Sequence, residues 1–198
     1  MVISEKILFS TGGIIGEYNP SEIIFSEGDL PHFYYQIIEG EVKLNNYNEE
    51  GKESIQGLLT DGQSIGESLL FTDNLYPFNA VSLSHCKIIK LSKHLFIGLL
   101  KQHPEICFDI NKFLSQRLYF KHVMAQNISS QNPANKLKTL LDYFKSQQSE
   151  NKPYSFLVPL TRQQMANFTG LCVETVIRAL KKMEQNNLLQ IENRKILY

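Results

Sequence analysis

The chain changes its hydrophobic rhythm twice. Between Glu17 and Leu91 the apolar residues come in short runs, EIIF, FYYQIIEG, EVKLNN, SIQGLL, AVSL and KIIKLS. Turn signals part them at Asn19-Pro20, Glu27-Gly28-Asp29, Glu50-Gly51 and Asp61-Gly62. Runs this short with turns this frequent predict antiparallel strands that close as a β sandwich or barrel. After Ser92 the rhythm becomes helical. Only Pro104 breaks KHLFIGLLKQHPEICFDINKFLSQRLYFKHVMAQNIS, which sets Ile106, Ile110, Phe113 or Leu114, Arg117 or Leu118, Lys121, Met124 and Ile128 at helical spacing. The pattern predicts a helix of about six turns whose apolar stripe packs on the β domain, on a second copy of itself, or on both. Ser129-Ser130-Gln131-Asn132-Pro133 then reads as a polar hinge before another helix over ANKLKTLLDYFKSQQ.

The last stretch is the most specific. The Thr161 hydroxyl is placed to cap a helix with Gln163 and Gln164 in its first turn, and that helix stops at Thr169-Gly170. A second helix runs from about Val173 to Gln185, burying Val176, Ile177 or Ala179, Leu180 and Met183. The tail NLLQIENRKILY holds two short runs around Glu192-Asn193 that read as a β wing. Helix, short glycine turn, helix and wing make a winged helix-turn-helix.

Charge strengthens that reading. The formal net charge is zero, but residues 135–198 carry ten Lys and Arg against five Asp and Glu, leaving ten against fifteen for residues 1–134. A basic C-terminal domain behind an acidic one suggests an anionic partner, of which nucleic acid is the commonest. The three cysteines, Cys86, Cys107 and Cys172, are odd in number and widely spaced, which fits reduced, packed thiols rather than a disulfide framework or a metal site. No apolar run reaches the roughly 18 to 20 residues of a membrane span, and MVISEKILFSTGG has neither a basic leader nor a long apolar segment, so a cytoplasmic protein is expected. No HExxH, GxSxG, Walker or paired-carboxylate pattern supports an enzyme.

These residues resemble the CRP/FNR superfamily of bacterial transcription regulators. TRQQMANFTGLCVETVIRALKKMEQNNLL runs without a gap along the family signature, in which T/S-R-x-x-(I/M)-A begins the first helix and G-L-x-x-E-T-V-x-R-x-L the second. Upstream, IIFSEGD, YYQIIEGEVKL, GQSIGESLLF and NAVSLSHCKIIKLS follow the landmarks of the effector domain in order. The resemblance implies an α+β chain: an antiparallel, cyclic-nucleotide-binding-like β-roll over residues 1–104, a dimerisation helix over 105–131 and a winged helix-turn-helix over 135–198. It implies a homodimer on palindromic double-stranded DNA, with RNA polymerase as a further partner.

By the same resemblance Glu174 and Arg178 read bases, Arg178 on guanine and Glu174 on a cytosine amino group while also orienting the Arg. As a mere helix brace such a pair adds only ~0.2 to 0.5 kcal/mol, whereas a good base contact is worth ~1 to 3 kcal/mol of discrimination. Val173 stands where one branch has a further base-contacting Arg and the FNR-like branch has Val. Ile177 stands where the FNR-like branch has Ser. A Val packs on a thymine methyl, so a TGA-containing half-site is expected. Thr161, Arg162, Gln163, Thr175 and Lys181 are the expected phosphate contacts.

The effector site departs from the pattern. In cyclic-nucleotide-binding members a Gly-Glu pair opens a short helix whose Glu holds the ribose, and an Arg about ten residues on pairs with the phosphate. Here Gly66, Glu67 and Ser68 are followed by LYPFNAVS, with Phe78 and Asn79 on the expected pocket wall, and no Lys or Arg falls between Lys52 and Lys87. A buried phosphate would lack its partner charge. Cyclic AMP is therefore not the expected effector, and Tyr76, Pro77 and Phe78 point to an apolar pocket or a closed one. An iron–sulfur cluster of the FNR type lacks its N-terminal cysteines. Haem would need an axial ligand among His32, His85, His94, His103 or the cysteines, and a lone His is more often a surface residue. The competing readings are a cyclic-nucleotide- or haem-responsive regulator of the same fold, and an adaptor built on the β domain that binds no DNA.

Overall fold

A computed structural model describes residues 2–126, 132–146, 148 and 152–198. The chain divides into two compact units, 1–116 and 117–198, and the division falls inside one helix.

In the first unit a short helix α1 (Glu5–Ser10) precedes eight strands: β1 (Ile14–Tyr18), β2 (Ile23–Phe25), β3 (Phe33–Glu39), β4 (Val42–Tyr47), β5 (Glu53–Leu59), β6 (Ser64–Ile65), β7 (Asn79–Ser82) and β8 (Cys86–Ser92). A 3-10 helix, Glu67–Phe71, lies between β6 and β7. The strands form two four-stranded antiparallel sheets, ordered β1-β8-β3-β6 and β2-β7-β4-β5. The hydrophobic runs of β3 and β8 are nearly continuous because both faces of these strands are buried. Tyr35, Ile37, Cys86 and Ile88 join Phe25, Val42, Leu44 and Tyr76 in one core. Tyr34, Ile89 and Leu91 pack in a second core with Leu8, Phe96, Leu99, Ile106 and Ile110. Strict alternation would have left one face polar; here each face meets its own apolar layer.

The helical stretch after Ser92 is two helices. Ser92 caps α2 (Lys93–Gln102), His103 leaves helical geometry, and α3 (Pro104–Gln126) restarts with Pro104 at its first position, where a missing N–H costs nothing. The predicted stripe also divides. Ile106 and Ile110 belong to the second core, with Phe113 and Leu114 packed beside them. Further along, Phe120 is buried in the other unit, while Lys121 is exposed and Met124 half-buried. Ile128 and the hinge positions Ser129, Ser130 and Gln131 lie outside the described residues, and Asn132 caps α4 (Pro133–Ser146) by accepting from Ala134 N–H at 3.0 Å.

In the second unit α4 buries Leu137, Leu140 and Leu141, followed by α5 (Arg162–Thr169), α6 (Val173–Gln185) and a hairpin of β9 (Gln190–Glu192) with β10 (Lys195–Leu197). β10 also pairs through Leu197 with Leu157. Four rings close one side: Phe120 lies 4.1 Å from Tyr143, 6.5 Å from Phe144 and 6.2 Å from Phe168 between centroids. Among the described residues no helix is long and apolar enough to cross a membrane.

Candidate nucleic-acid interface and effector site

α5 begins as the sequence predicts. The Thr161 hydroxyl accepts from Gln164 N–H at 3.1 Å, and Thr161 N–H donates to the Gln164 side chain at 2.8 Å, a reciprocal capping box. It ends at Gly170, whose φ of +70° is the left-handed geometry that only glycine adopts without cost. Met165, Ala166, Val176, Ala179, Leu180 and Met183 then bury the facing sides of α5 and α6. Ala179 and not Ile177 takes the core position. The opposite side of α6 exposes Glu174, Ile177, Arg178 and Lys181, which at i, i+3, i+4 and i+7 form one continuous stripe, with Val173 half-buried at its head.

Two of the expected contact residues have partners within the free protein. Among the described residues no ion pair joins Glu174 to Arg178; the Arg178 guanidinium donates instead to the Thr175 hydroxyl at 3.4 Å. Both partners sit in water, where such a pair gains only tenths of a kcal/mol and loses side-chain entropy (~0.3 to 0.5 kcal/mol for an exposed helix pair). Arg162, expected to face a phosphate, donates to the Arg194 carbonyl at 2.5 Å. Arg194 and Asn193 form the two-residue tip of the β9–β10 hairpin, both with positive φ (65° and 49°). The wing tip is therefore tied to the first turn of α5, and Arg194 is exposed there. Sequence reasoning passed over Arg194, because nothing in Glu192-Asn193-Arg194 marks its main chain as a partner for Arg162. Gln163 donates to the Asn167 side chain at 2.8 Å, and Thr175 is half-buried. Cys172 precedes α6 as its cap residue but makes no side-chain cap bond, and is exposed, unlike buried Cys86 and half-buried Cys107.

In the β domain, Gly66 takes left-handed geometry at the start of the 3-10 helix, and Glu67 behind it is only 1% exposed. Tyr76 stacks on Phe25 with centroids 3.7 Å apart and planes 12° from parallel, and Tyr35 and Phe78 flank the pair. The predicted pocket residues do not all converge. Gly66, Glu67 and Phe78 gather around Tyr76, whereas Ser68 is exposed. The Asn79 side chain is engaged at both ends, accepting from Glu27 N–H at 2.9 Å and donating to the Asn45 carbonyl at 3.2 Å. His32, His85 and His94 are exposed, and His103 is half-buried and paired with Glu105 at 2.9 Å. None of the four enters an apolar core.

Burial pushes the Tyr35 phenol up to about 12, helped by neighbouring Tyr18 and Asp29. Burial, then Tyr35, Glu67 and Asp29, pushes the Tyr76 phenol up as well. Both groups have folded pKa values above the unfolded value near 10, so their contribution to stability is complete below about pH 10 and is lost as pH rises toward 12. The denaturant midpoint is expected to hold from pH 7 to 9 and to fall between pH 10 and 12, with part of the tyrosinate absorbance appearing only as the chain unfolds. A midpoint unchanged at pH 11.5 would contradict this.

Comparison with known proteins fits the geometry. Residues 15–103 match the cyclic nucleotide-binding domain family, and residues 137–198 match the Crp-like helix-turn-helix domain family. The chain belongs to the CRP/FNR superfamily of DNA-binding transcription regulators. It is 26% identical over 176 residues to the transcriptional activatory protein AadR of Rhodopseudomonas palustris, covering 88% of this chain and 72% of that one. It is also 26% identical over 185 residues to the cAMP-activated global transcriptional regulator CRP of Salmonella typhimurium, covering 92% and 88%. Among solved structures, a CooA mutant from Carboxydothermus hydrogenoformans superposes with a TM-score of 0.82 at 14% identity, covering 98% of this chain and 87% of that one. The c-di-GMP responsive regulator CLP of Xanthomonas campestris gives 0.78 at 22%, covering 96% and 95%. The family is one of transcription regulators and not of enzymes, and its members bind DNA and dimerise.

Proposed function

We propose that this CRP/FNR regulator acts as a homodimer on an inverted repeat whose half-sites contain TGA. The observation that carries the reading is the exposed stripe of α6. Arg178 reads guanine with its guanidinium fork, Glu174 accepts from the cytosine paired to it, and Val173 packs on a neighbouring thymine methyl, with Ile177 alongside. Glu174 and Arg178 are both exposed and not paired with each other, which leaves both side chains available to a base edge. Thr161, Arg162, Gln163, Thr175 and Lys181 contact phosphates; the bonds of Arg162 and Gln163 leave donors over. Residues 1–104 form the effector domain and 135–198 the DNA-binding domain.

Residues 105–131 are the dimerisation segment, of which α3 supplies the described part. In the first unit Phe108 of α3 stands 78% exposed, and in the second Leu118 and Tyr119 of α3 stand 57% and 66% exposed. Large apolar residues left in water call for a cover, and a second α3 supplies it while spacing two recognition helices one turn of DNA apart. RNA polymerase is the further partner of such a regulator. Selection of bound duplexes from a random library, with sedimentation of the complex, tests the reading. A TGA palindrome bound by two chains is expected, and a monomer without sequence preference would overturn it.

The Salmonella relative is cAMP-activated, but that effector does not carry over. No Lys or Arg lies between Lys52 and Lys87 to pair with a phosphate, and the rings of Phe25 and Tyr76 press on Gly66. Saturating cyclic AMP is expected to leave the melting temperature unchanged. Binding at 100 times the dissociation constant would add ~2.7 kcal/mol and a clear upward shift.

A further inference from the structure

Tyr76 comes from an unusual place for a core residue. Its neighbours Phe71 to Leu75 and Pro77 are all exposed, yet its own side chain is 2% exposed. Two main-chain bonds clamp it over the preceding turn, Tyr76 N–H to the Asp29 carbonyl at 3.0 Å and Gly28 N–H to the Tyr76 carbonyl at 2.8 Å. The ring then lies flat on Phe25 of β2 and against the backbone of Gly66. A Cβ at Gly66 would stand 2.7 Å from Tyr76 Cε1 and 3.1 Å from Phe25 Cζ, so no gap separates the ring from the start of the 3-10 helix. One residue of an exposed loop thus joins β2, the Gly28-Asp29 turn and the Gly66-Glu67 corner, with Phe78 packed beside it on Phe25. The Tyr76 hydroxyl has no hydrogen-bond partner among the described residues. Burying it unpaired is unfavourable, so the ring and not the hydroxyl holds the side chain in place.

We propose that Tyr76 is the permanent occupant of the effector site, a plug supplied by the chain itself, and that operator binding needs no diffusible ligand. This rests on the DNA-binding reading above. The contacts that a bound effector would make only at sufficient concentration are made here by a residue tethered to the site, so occupancy does not vary with the small-molecule content of the cell. The ring does the work; the hydroxyl is dispensable.

The test uses the full-length wild type, Tyr76→Phe and Tyr76→Ala. Each is unfolded in denaturant, dialysed to remove small molecules and refolded before operator affinity and melting temperature are measured. Wild type and Tyr76→Phe are expected to bind the selected operator within twofold of never-unfolded wild type, with Tyr76→Phe melting at the same temperature or higher. Tyr76→Ala is expected to bind at least tenfold more weakly and to recover both affinity and melting temperature in millimolar phenol, which returns a ring to the face of Phe25. The plug is overturned if refolded wild type loses operator binding and regains it when the small-molecule fraction released on unfolding is added back. It is equally overturned if Tyr76→Ala keeps full affinity, which would make the ring core filling alone, or if Tyr76→Phe loses affinity, which would make the hydroxyl the active part. Should Tyr76→Ala fail to refold, Phe25→Leu removes the stacking partner and keeps apolar volume; it is expected to show the same tenfold loss, and unchanged affinity would count against the plug. If never-unfolded wild type itself prefers no duplex, the DNA-binding reading fails, and the plug still stands or falls on whether phenol raises the melting temperature of Tyr76→Ala and not that of wild type.

Discussion

Arg178→Ala is expected to weaken operator binding by about 1 to 3 kcal/mol per half-site and to flatten the preference at one G·C pair while leaving the other positions as they were. The exposed Arg178 side chain makes one weak internal bond, at 3.4 Å to Thr175, so truncation leaves no buried group unpaired and should barely change folding stability. Loss of affinity at constant stability separates a base contact from a structural role. Lys181→Ala, one turn further along the same face, should instead weaken all sequences alike and lower the salt dependence by about one phosphate contact per subunit. Val173→Arg should move the preference next to the G from T toward G. If Arg178→Ala binds every duplex with the wild-type order of preference, α6 does not read bases in this way.

What the sequence made legible was whatever local chemistry decides. The start of α5 follows from Thr161 and Gln164, its stop from Gly170, and the buried side of α6 from the spacing of Val176, Leu180 and Met183. The strands β3 and β8 were visible as apolar runs. What stayed hidden was decided by tertiary neighbours. β1 was missed because, as an edge strand, it leaves Ile14 and Ile15 exposed, and no alternation marks it. α1 is only six residues long, and its place depends on the buried Gln36 side chain, which holds the Ile3 main chain at 2.9 and 2.7 Å just ahead of it. Pro104 looked like an interruption inside a helix and is the first residue of a new one. The expected effector pocket shows the same limit. The lost Arg is plain in LYPFNAVS, but that Tyr76 turns inward between exposed neighbours depends on the Gly28-Asp29 turn nearly fifty residues earlier.

The division of α3 between the two units gives the largest expected effect on stability. Phe120 is the one α3 ring among four that meet Tyr143 and Phe144 of α4 and Phe168 of α5, and it is 8% exposed. Through it the last turns of α3 are fixed to the body of the helix-turn-helix. Phe120→Ala should destabilise the winged unit by about 3 to 5 kcal/mol, the range for emptying a buried Phe site. Phe120→Leu keeps most of the volume and should cost less, on the order of 1 kcal/mol. The functional consequence follows from α3 being the proposed dimerisation helix. A recognition helix fixed to α3 presents its stripe at one angle to the dimer axis, whereas one freed from α3 must be ordered each time DNA is bound. Phe120→Ala is therefore expected to lose operator affinity as a full palindrome is engaged while keeping the base preferences of each half-site, the reverse of Arg178→Ala. Denaturant titration of the winged unit, read beside binding to full and half operators, checks both parts. A midpoint shift equivalent to less than about 0.5 kcal/mol, the size of an ordinary surface change, would mean that the four rings touch without holding α3 in place.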